Sequence, residues 1–513
     1  MKLMDFLREA DKLDRVMPGV AAAYRALRDN HGQGIYTSLG RYYNHTIFGR
    51  DAGMSAKFVS DFDHDTVWKT ILTLASYQGL ETHPTTQEEP GRIHHEMRDY
   101  TTWHGRWYDR AGLIIAGRLW GSKRKRLLSY FAADTTATYI RLIHKHVTHI
   151  DGSLLTREVP QANGRPVALE TSLEAAANWI ANQVDEDGLF HVRRTNRWAL
   201  PYQTFADSVT AYAWSDGRPA DTSLDHCYIE VQTYALDALQ DAVRLLPGSP
   251  HALRWRLLAE KMQQTLFERF WNDGRQSFVP GVFVRNGQLQ QLDVDMIMIG
   301  WTLNASFWRD MPEDKRRATL TKLITRLFQG DFLTAVGIRT RSMRTREPLG
   351  RDIDYHGSQT VWPMFNFMII EGLRRHGFYR LARQLEFRLL NGVNALGGFP
   401  EFCIVDHDGQ LYQIDKHART RRRGQMIPEQ NIAFTVVPSL TLAYRHLYRR
   451  HDAAMSGWKY ELEETILASI PVVELLAPEA ARQALHPVPV HISRTLSGLR
   501  SAIHIAPVML RNV

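Results

Sequence analysis

Apolar positions recur at three- and four-residue spacing along most of the chain, which predicts helices with one buried face. Phe6, Leu13, Val16, Val20, Tyr24 and Leu27 predict an amphipathic helix over roughly the first 30 residues, closed by a turn at His31–Tyr36. Further helices are expected at Ala52–Asp61 and at 64–79, where Val67, Ile71, Leu74 and Ala75 share a face. Another runs from Tyr130 to about His146, and one at Glu170–Val184 is stopped by Asp187-Gly188. Tyr228–Leu246 pairs with His251–Trp271 through a Pro-Gly turn, and Asp295–Phe307 pairs with Lys315–Phe328. Val361–Arg375, Phe378–Asn391, Glu429–Arg449 and Tyr460–Ile470 complete the set. Alternation is confined to short pieces, with a small hairpin expected between Ser277–Pro280 and Val282–Val284.

About a dozen helices with few strands exclude a parallel-sheet enzyme. Long polar or aromatic loops follow every second helix, and no fixed-period repeat marks a solenoid. The pattern predicts an all-α fold, an (α/α)6 toroid of six helical hairpins with minor short β segments. One domain is expected over residues 1–455, with 456–513 a helical or irregular extension packed on it. Inner helices of a toroid gather the loops of one end around a funnel. Arg50, Glu96, Asp207, Trp362 and Glu401 are therefore expected to line one pocket.

Composition narrows the class. With 513 residues, 44% of them hydrophobic, the chain can bury a large core. The net charge of +8 includes basic runs at Lys123–Arg126 and Arg419–Arg423. Without a nucleic-acid-binding motif these read as solvated loops, and no nucleic-acid partner is expected. Two cysteines, Cys227 and Cys403, make no disulfide framework and point to a reducing compartment, the cytoplasm. The N-terminus has no apolar segment or cleavage site of a secretory signal. No run of about 18 apolar residues predicts a membrane span.

Candidate chemistry lies in the loops. Tyr202-Gln203-Thr204-Phe205-Ala206-Asp207-Ser208 sets one carboxyl among aromatics ahead of a helix. That setting raises a carboxyl pKa and offers a flat wall for a pyranose, although an Asp-Ser pair also suits a cap or turn. Arg50-Asp51 suits a helix cap, or a fork donor and acceptor matched to a vicinal diol. His94-His95-Glu96 lacks the i, i+4 histidine spacing of a metal helix, so polar substrate contacts or a buried network are expected. No metal or cofactor is implied. Asp134 is a cap or a pocket residue, and Glu401 sits between Phe399 and Phe402.

These blocks together resemble the glucosidase module of glycogen debranching enzymes, the amylo-α-1,6-glucosidases, and their (α/α)6 relatives among inverting α-glucosidases. Phe48-Gly49-Arg50-Asp51 is similar to that family's Phe-Gly-Arg-Asp, and Gly91 to Arg98 to its Gly-Lys/Arg-Ile-x-His-Glu-Ile/Met-Arg. Asp134-Thr135-Thr136, Gln203 to Ser208, Glu230 to Tyr234, Gly337 to Thr340, Tyr355 to Ser358, Val361-Trp362-Pro363 and Phe399 to Phe402 match further blocks in family order. The resemblance implies an inverting hydrolase of α-glucosidic bonds in oligosaccharides or glycogen-like glucans, with Asp207 as general acid and Glu401 as general base. It places Arg50 and Asp51 on the terminal sugar. It extends the substrate-binding set to Phe48, His95, Glu96, Asp134, Gln203, Phe205, Gln232, Arg339, His356 and Trp362.

Two carboxyls across roughly 6.5–9.5 Å would protonate the leaving oxygen and activate water from the opposite face. Aromatics are expected to raise the acid, and a nearby arginine to keep the base ionised. The chain departs from the family in Phe205-Ala206 before the acid, in Met364-Phe365 after Trp362-Pro363, in the extra Gln359-Thr360, and in helix where the family has an N-terminal β-domain. Two other readings use the same residues: another (α/α)6 activity (sucrose- or mannoside-cleaving, or phosphorolytic), or a non-catalytic carbohydrate-binding protein.

Overall fold

A computed structural model describes residues 10–28, 32–40, 43, 46–99, 107–123, 126–345, 354–411, 428–448 and 457–473. The basic run 419–423, residues 124–125 of the other basic run, and most of the expected extension, 474–513, lie outside the described residues.

The first helical stretch is two helices, α1 (Ala10–Val16) and α2 (Val20–Leu27). They break at Gly19, whose φ of 77° suits glycine. Next come α3 (Gly49–Val59), α4 (His64–Ser76), α5 (Trp107–Trp120), α6 (Thr135–His149) and α7 (Leu169–Gln183). α8 (Ile229–Leu245), α9 (Ala252–Arg269) and α10 (Glu313–Leu327) follow. α11 (Pro363–Arg375), α12 (Tyr379–Leu396), α13 (Ala433–Tyr448) and α14 (Trp458–Ser469) complete the helices. The helix expected at Asp295–Phe307 is instead a 3₁₀ segment, Ile297–Asn304, with a second short turn at Ser306–Arg309. All of Ile297–Asn304 is buried, so the run is apolar on every side and carries no period to read.

Packing neighbours close a cycle: α3 lies on α6, α6 on α8, α8 on the 3₁₀ segment, that segment on α11, α11 on α13, and α13 back on α3. Other helices pack on its members. α4 covers α3 and α6, α7 covers α6 and α8, and α9 covers α8. α10 covers the 3₁₀ segment, α12 covers α11, and α1 and α2 cover α13. Sequence follows position. The outer α10 buries one stripe around Leu320, Leu323, Ile324 and Leu327, whereas α8 buries every residue from Ile229 to Leu239. Neighbours touch closely where glycine allows it. A Cβ on Gly372 of α11 would lie 2.3 Å from Leu303 Cβ. Gly372→Ala should therefore lower stability by about 1–3 kcal/mol. A denaturant midpoint equal to wild type would show that the contact relaxes freely.

The strands are short and local to loops. β1 (Ile47–Phe48), β2 (Glu96–Asp99), β3 (Ser122–Lys123) and β4 (Arg126–Ser129) form an antiparallel sheet in the order β1-β2-β4-β3. The expected hairpin has different partners. Gly281–Arg285 pairs with Gln288–Gln291, not with Ser277-Phe278, which pairs with Trp271–Asn272. Asn286-Gly287, with φ of 52° and 72°, makes the tight turn that selects this register.

Within residues 457–473, α14 docks on α12: Glu463 accepts the Arg380 and Leu381 backbone N–H at 2.9 and 3.1 Å, satisfying two orphan donors of the α12 N-terminus. Cys227 and Cys403 are both buried and unpaired. Among the described residues, no helix is long and apolar enough to cross a membrane.

Candidate active site

The inner helices present their N-termini at one end, and Arg50, the second residue of α3, gathers the neighbouring elements there. Phe48 precedes α3 in extended conformation, so the chain turns sharply into the helix and aims Arg50 inward. Its Nη1 donates to the Thr204 carbonyl at 2.5 Å and its Nη2 to Asp207 Oδ2 at 3.1 Å. Asp134, at the start of α6, faces it at 3.6 Å and Asp51 at 3.9 Å. The Phe205 ring lies 5.1 Å below the guanidinium, itself packed on Trp301. Asp51 lies inside α3 and so is not its cap, and Asp134 holds the N-cap position of α6 without a side-chain capping bond.

Burial dominates the electrostatics. Desolvation raises Asp51 to about 7 and Asp134 to about 6, against the opposing pull of Arg50. Asp207 is raised as well, by burial first, with Arg50 lowering it. The Asp207 side chain is 21% exposed, against 8% for Asp51 and 0% for Asp134. Asp207 is therefore the member of this trio that a ligand can reach.

Glu401 stands on a second group of loops. It lies just before the strand Cys403–Ile404, which pairs with Thr360–Val361 and so brings Phe402 against Trp362. The Glu401 N–H donates to the Glu429 carbonyl at 2.8 Å, and one carboxyl oxygen accepts the Tyr355 hydroxyl. Desolvation pushes Glu401 up to about 8, against the lowering effect of the Tyr355 bond. Tyr355 packs on His356, Trp362 and Phe402, and its hydroxyl lies 3.5 Å from that of Tyr43. His356 stacks on Trp362 and meets the Ser208 hydroxyl through Nδ1 at 2.9 Å, joining the Glu401 wall to the Asp207 loop. Tyr43 and Tyr355 both lie within electrostatic reach of Glu401 and Asp207.

The β1–β2 pairing sets the third wall. Phe48 opposes Glu96 in register, its ring meets Tyr43 and His95 edge-on, and the Arg98 guanidinium lies over Tyr43 and Phe48 while pairing with Glu96. His95 is buried with neither ring nitrogen hydrogen-bonded, and its pKa is driven well below the usual value, so it is neutral. Among the described residues, no group of three or more His, Cys, Asp or Glu is arranged to hold a metal ion.

Arg50, Glu96, Asp207, Trp362 and Glu401 thus meet at one end of the cycle, linked through Tyr43, Tyr355 and His356. Gln203 is one step back: its amide bonds Gln87 and Arg92 and anchors the Asp207 loop. Two expected substrate contacts are elsewhere engaged. Gln232 holds the Gly188 carbonyl and the Phe190 N–H, and Arg339 holds the carbonyls of Ser358, Asp406 and His407. Both are buried polar groups whose bonding is taken by backbone, so they fix loops.

The expected arginine beside the base is also displaced: Arg50 bonds Asp207, and a tyrosine bonds Glu401. Sequence reasoning missed Tyr43, Arg98, Tyr355, Glu230 and Glu429. Glu230, raised to about 7 by burial, accepts the hydroxyls of Thr204 and Tyr212 and braces the Asp207 loop. Glu429, expected inside a helix, precedes α13 and accepts the Ser38 hydroxyl at 2.9 Å. The available signal was the matched blocks themselves: Tyr355 opens Tyr-His-Gly-Ser, and Glu230 opens Glu-Val-Gln.

No family model and no curated protein sequence matches the chain. Solved structures do. A GH63 mannosylglycerate hydrolase from Thermus thermophilus, in complex with glucose, is 14% identical with a TM-score of 0.52, covering 83% of this chain and 99% of its own. An uncharacterized conserved protein from the same organism is 13% identical with a TM-score of 0.51, over 83% and 99%. A glycosidase variant in complex with glucose is 13% identical with a TM-score of 0.51, over 85% and 97%. The chain shares the mostly helical fold of these proteins.

Proposed function

We propose that this protein is an inverting glycoside hydrolase of (α/α)6 architecture that cleaves α-glucosidic bonds, with Asp207 as general acid and Glu401 as general base. The observation that carries the reading is that two carboxyls from loops far apart in sequence are joined through Tyr355, which bonds Glu401 and packs on His356, itself bonded to Ser208 beside Asp207. The closed cycle of inner segments with outer helices around it supports the toroid and a single domain over residues 1–455, with α14 part of an extension packed on it. The fold likeness to proteins whose structures contain glucose supports a sugar substrate. Arg50, Asp51, Phe48, His95, Glu96, Asp134, Phe205, His356 and Trp362 would form the sugar pocket. Two free thiols support a reducing compartment, the cytoplasm. The mannosylglycerate hydrolase likeness favours a second reading, in which the aglycone is a small organic acid rather than a glucan.

An assay with α-linked gluco-oligosaccharides and small α-glycosides, following the product anomer by NMR, tests both. Product of inverted configuration is expected. Retained configuration overturns the inverting mechanism, and inactivity on every α-glycoside overturns the whole reading.

The pair sets the pH dependence. Glu401, at about 8, keeps a proton at neutral pH, and Asp207, also raised by burial, lies against Arg50. One proton must stay on the pair for acid catalysis, so kcat/KM should fall tenfold per unit above about pH 8, where that last proton leaves. The Tyr355 bond favours the charged carboxylate. Tyr355→Phe should therefore move this alkaline limb upward by about one pH unit. A limb that stays in place or moves down would break the link between Tyr355 and the titrating group.

A further inference from the structure

The inner helices carry a second charged layer. Seven residues after Arg50 comes Lys57, seven after Asp134 comes Arg141, and seven after Glu230 comes Asp237. Two helical turns set this layer ~10 Å farther along the cycle, away from Asp207. Lys57 is the one residue of α3 that is not buried, and among the described residues its ammonium makes no hydrogen bond or ion pair. It lies 5.8 Å from the centre of the Tyr234 ring, which Arg141 also faces, at 4.7 Å.

Arg141 is 7% exposed and holds Asp237 at 2.9 Å through Nη2, but its Nε and Nη1 have no hydrogen-bond partner. Asp241 holds Arg244 at 2.6 Å and His144 at 3.4 Å through one oxygen, and its other oxygen lies 3.9 Å from Arg141 Nε, beyond hydrogen-bond reach. Lys145 is held by Asp61 at 3.1 Å. Arg375, at the end of α11, donates to the Asn304 carbonyl and has no carboxylate partner among the described residues. Lys57 stands close enough to Arg141, Lys145 and Arg375 that their charges, after burial, depress its pKa. Lys57, Arg141 and Arg375 thus share two nearby carboxylates, Asp237 and Asp241, of which Asp241 is also engaged by Arg244 and His144, so positive charge is in excess there and two guanidinium N–H groups stay without a hydrogen bond. Such an arrangement is costly when empty and suits an oxygen-rich anion able to accept several charge-assisted bonds.

We propose that Lys57, Arg141 and Arg375 form a binding site for a small inorganic oxyanion of the phosphate class, at the end of the inner-helix cycle opposite the Asp207–Glu401 pair. The site is independent of the hydrolase reading. Titrating the full chain calorimetrically with inorganic phosphate, at constant ionic strength, tests it. Saturable binding at one site is expected, about tenfold or more weaker in Lys57→Met and in Arg375→Gln, and unchanged in Asp207→Asn. Lys57→Met should also melt no lower than wild type in phosphate-free buffer, because it removes an unpaired ammonium. Absence of saturable binding, equal affinity in Lys57→Met, or loss of binding in Asp207→Asn would each overturn the assignment.

Discussion

Asp207→Asn is expected to lower kcat on an α-glucoside by about 10²–10⁴-fold, the range a positioned acid or base contributes. Glu401→Gln should cost a similar factor. The two losses differ in kind, and that difference tests the roles. An α-glucosyl fluoride departs without protonation, so it should restore much of the rate to Asp207→Asn. It should do little for Glu401→Gln, which still lacks the group that activates water. The reverse pattern would exchange the roles, and full activity of both variants on an ordinary glucoside would remove the pair from the mechanism. Folding should survive either change. Asp207→Asn leaves Arg50 facing Asp134 at 3.6 Å and Asp51 at 3.9 Å, and Glu401→Gln keeps an acceptor for the Tyr355 hydroxyl.

What the chain discloses before folding follows from where each segment is half-buried. The outer helices, apolar on one stripe, show their period, and α4, α9 and α10 lie close to where that period puts them. One inner segment loses the signal because it is buried all round, although the inner α8 and α11 lie close to where they are expected. Ile297–Asn304 reads as an unbroken apolar run, and its 3₁₀ course is fixed by close packing at Gly300 against Leu327 and Ile369. The two-residue strands were invisible for another reason. Ile47–Phe48 is ordered by a partner at Glu96–Asp99, and Thr360–Val361 by Cys403–Ile404, so pairing across long loops decides them rather than propensity.

In the site, Asp207 and Glu401 were legible as acids among aromatics, but their surroundings were not. A sequence cannot tell which carboxyl the nearest arginine will reach. Arg50 reaches Asp207 because the entries to α3 and α6 and the 204–207 loop meet at one end, and Glu401 is left with a neutral hydroxyl donor. Desolvation then outweighs pairing at both carboxyls, and the group proposed as base, at about 8, is protonated at neutral pH in the empty site. On that reading, a bound sugar must move this proton balance toward Asp207 before the bond can break.

Arg50→Met should destabilise the protein by about 3–5 kcal/mol at pH 8, because it strands Asp51, Asp134 and Asp207 around a vacated cation. The loss should depend on pH in a defined direction. Burial places Asp51 at about 7 and Asp134 at about 6, both above the ordinary 3.8. The folded protein therefore holds protons that the unfolded chain has released, and wild type loses stability as pH rises from about 4 to about 7, then levels off. Without the guanidinium the folded pKa values climb further while the unfolded ones stay put, so the decline continues to higher pH. The gap between variant and wild type should be smaller at pH 5, where Asp51 and Asp134 are protonated in both, and full at pH 8. Urea denaturation at the two pH values measures it, and a gap as large at pH 5 as at pH 8 would mean that Arg50 acts through packing on Phe205 rather than through charge. Arg50→Lys should recover little, since a single ammonium cannot bond the Thr204 carbonyl and Asp207 while also facing Asp134, as the planar fork does.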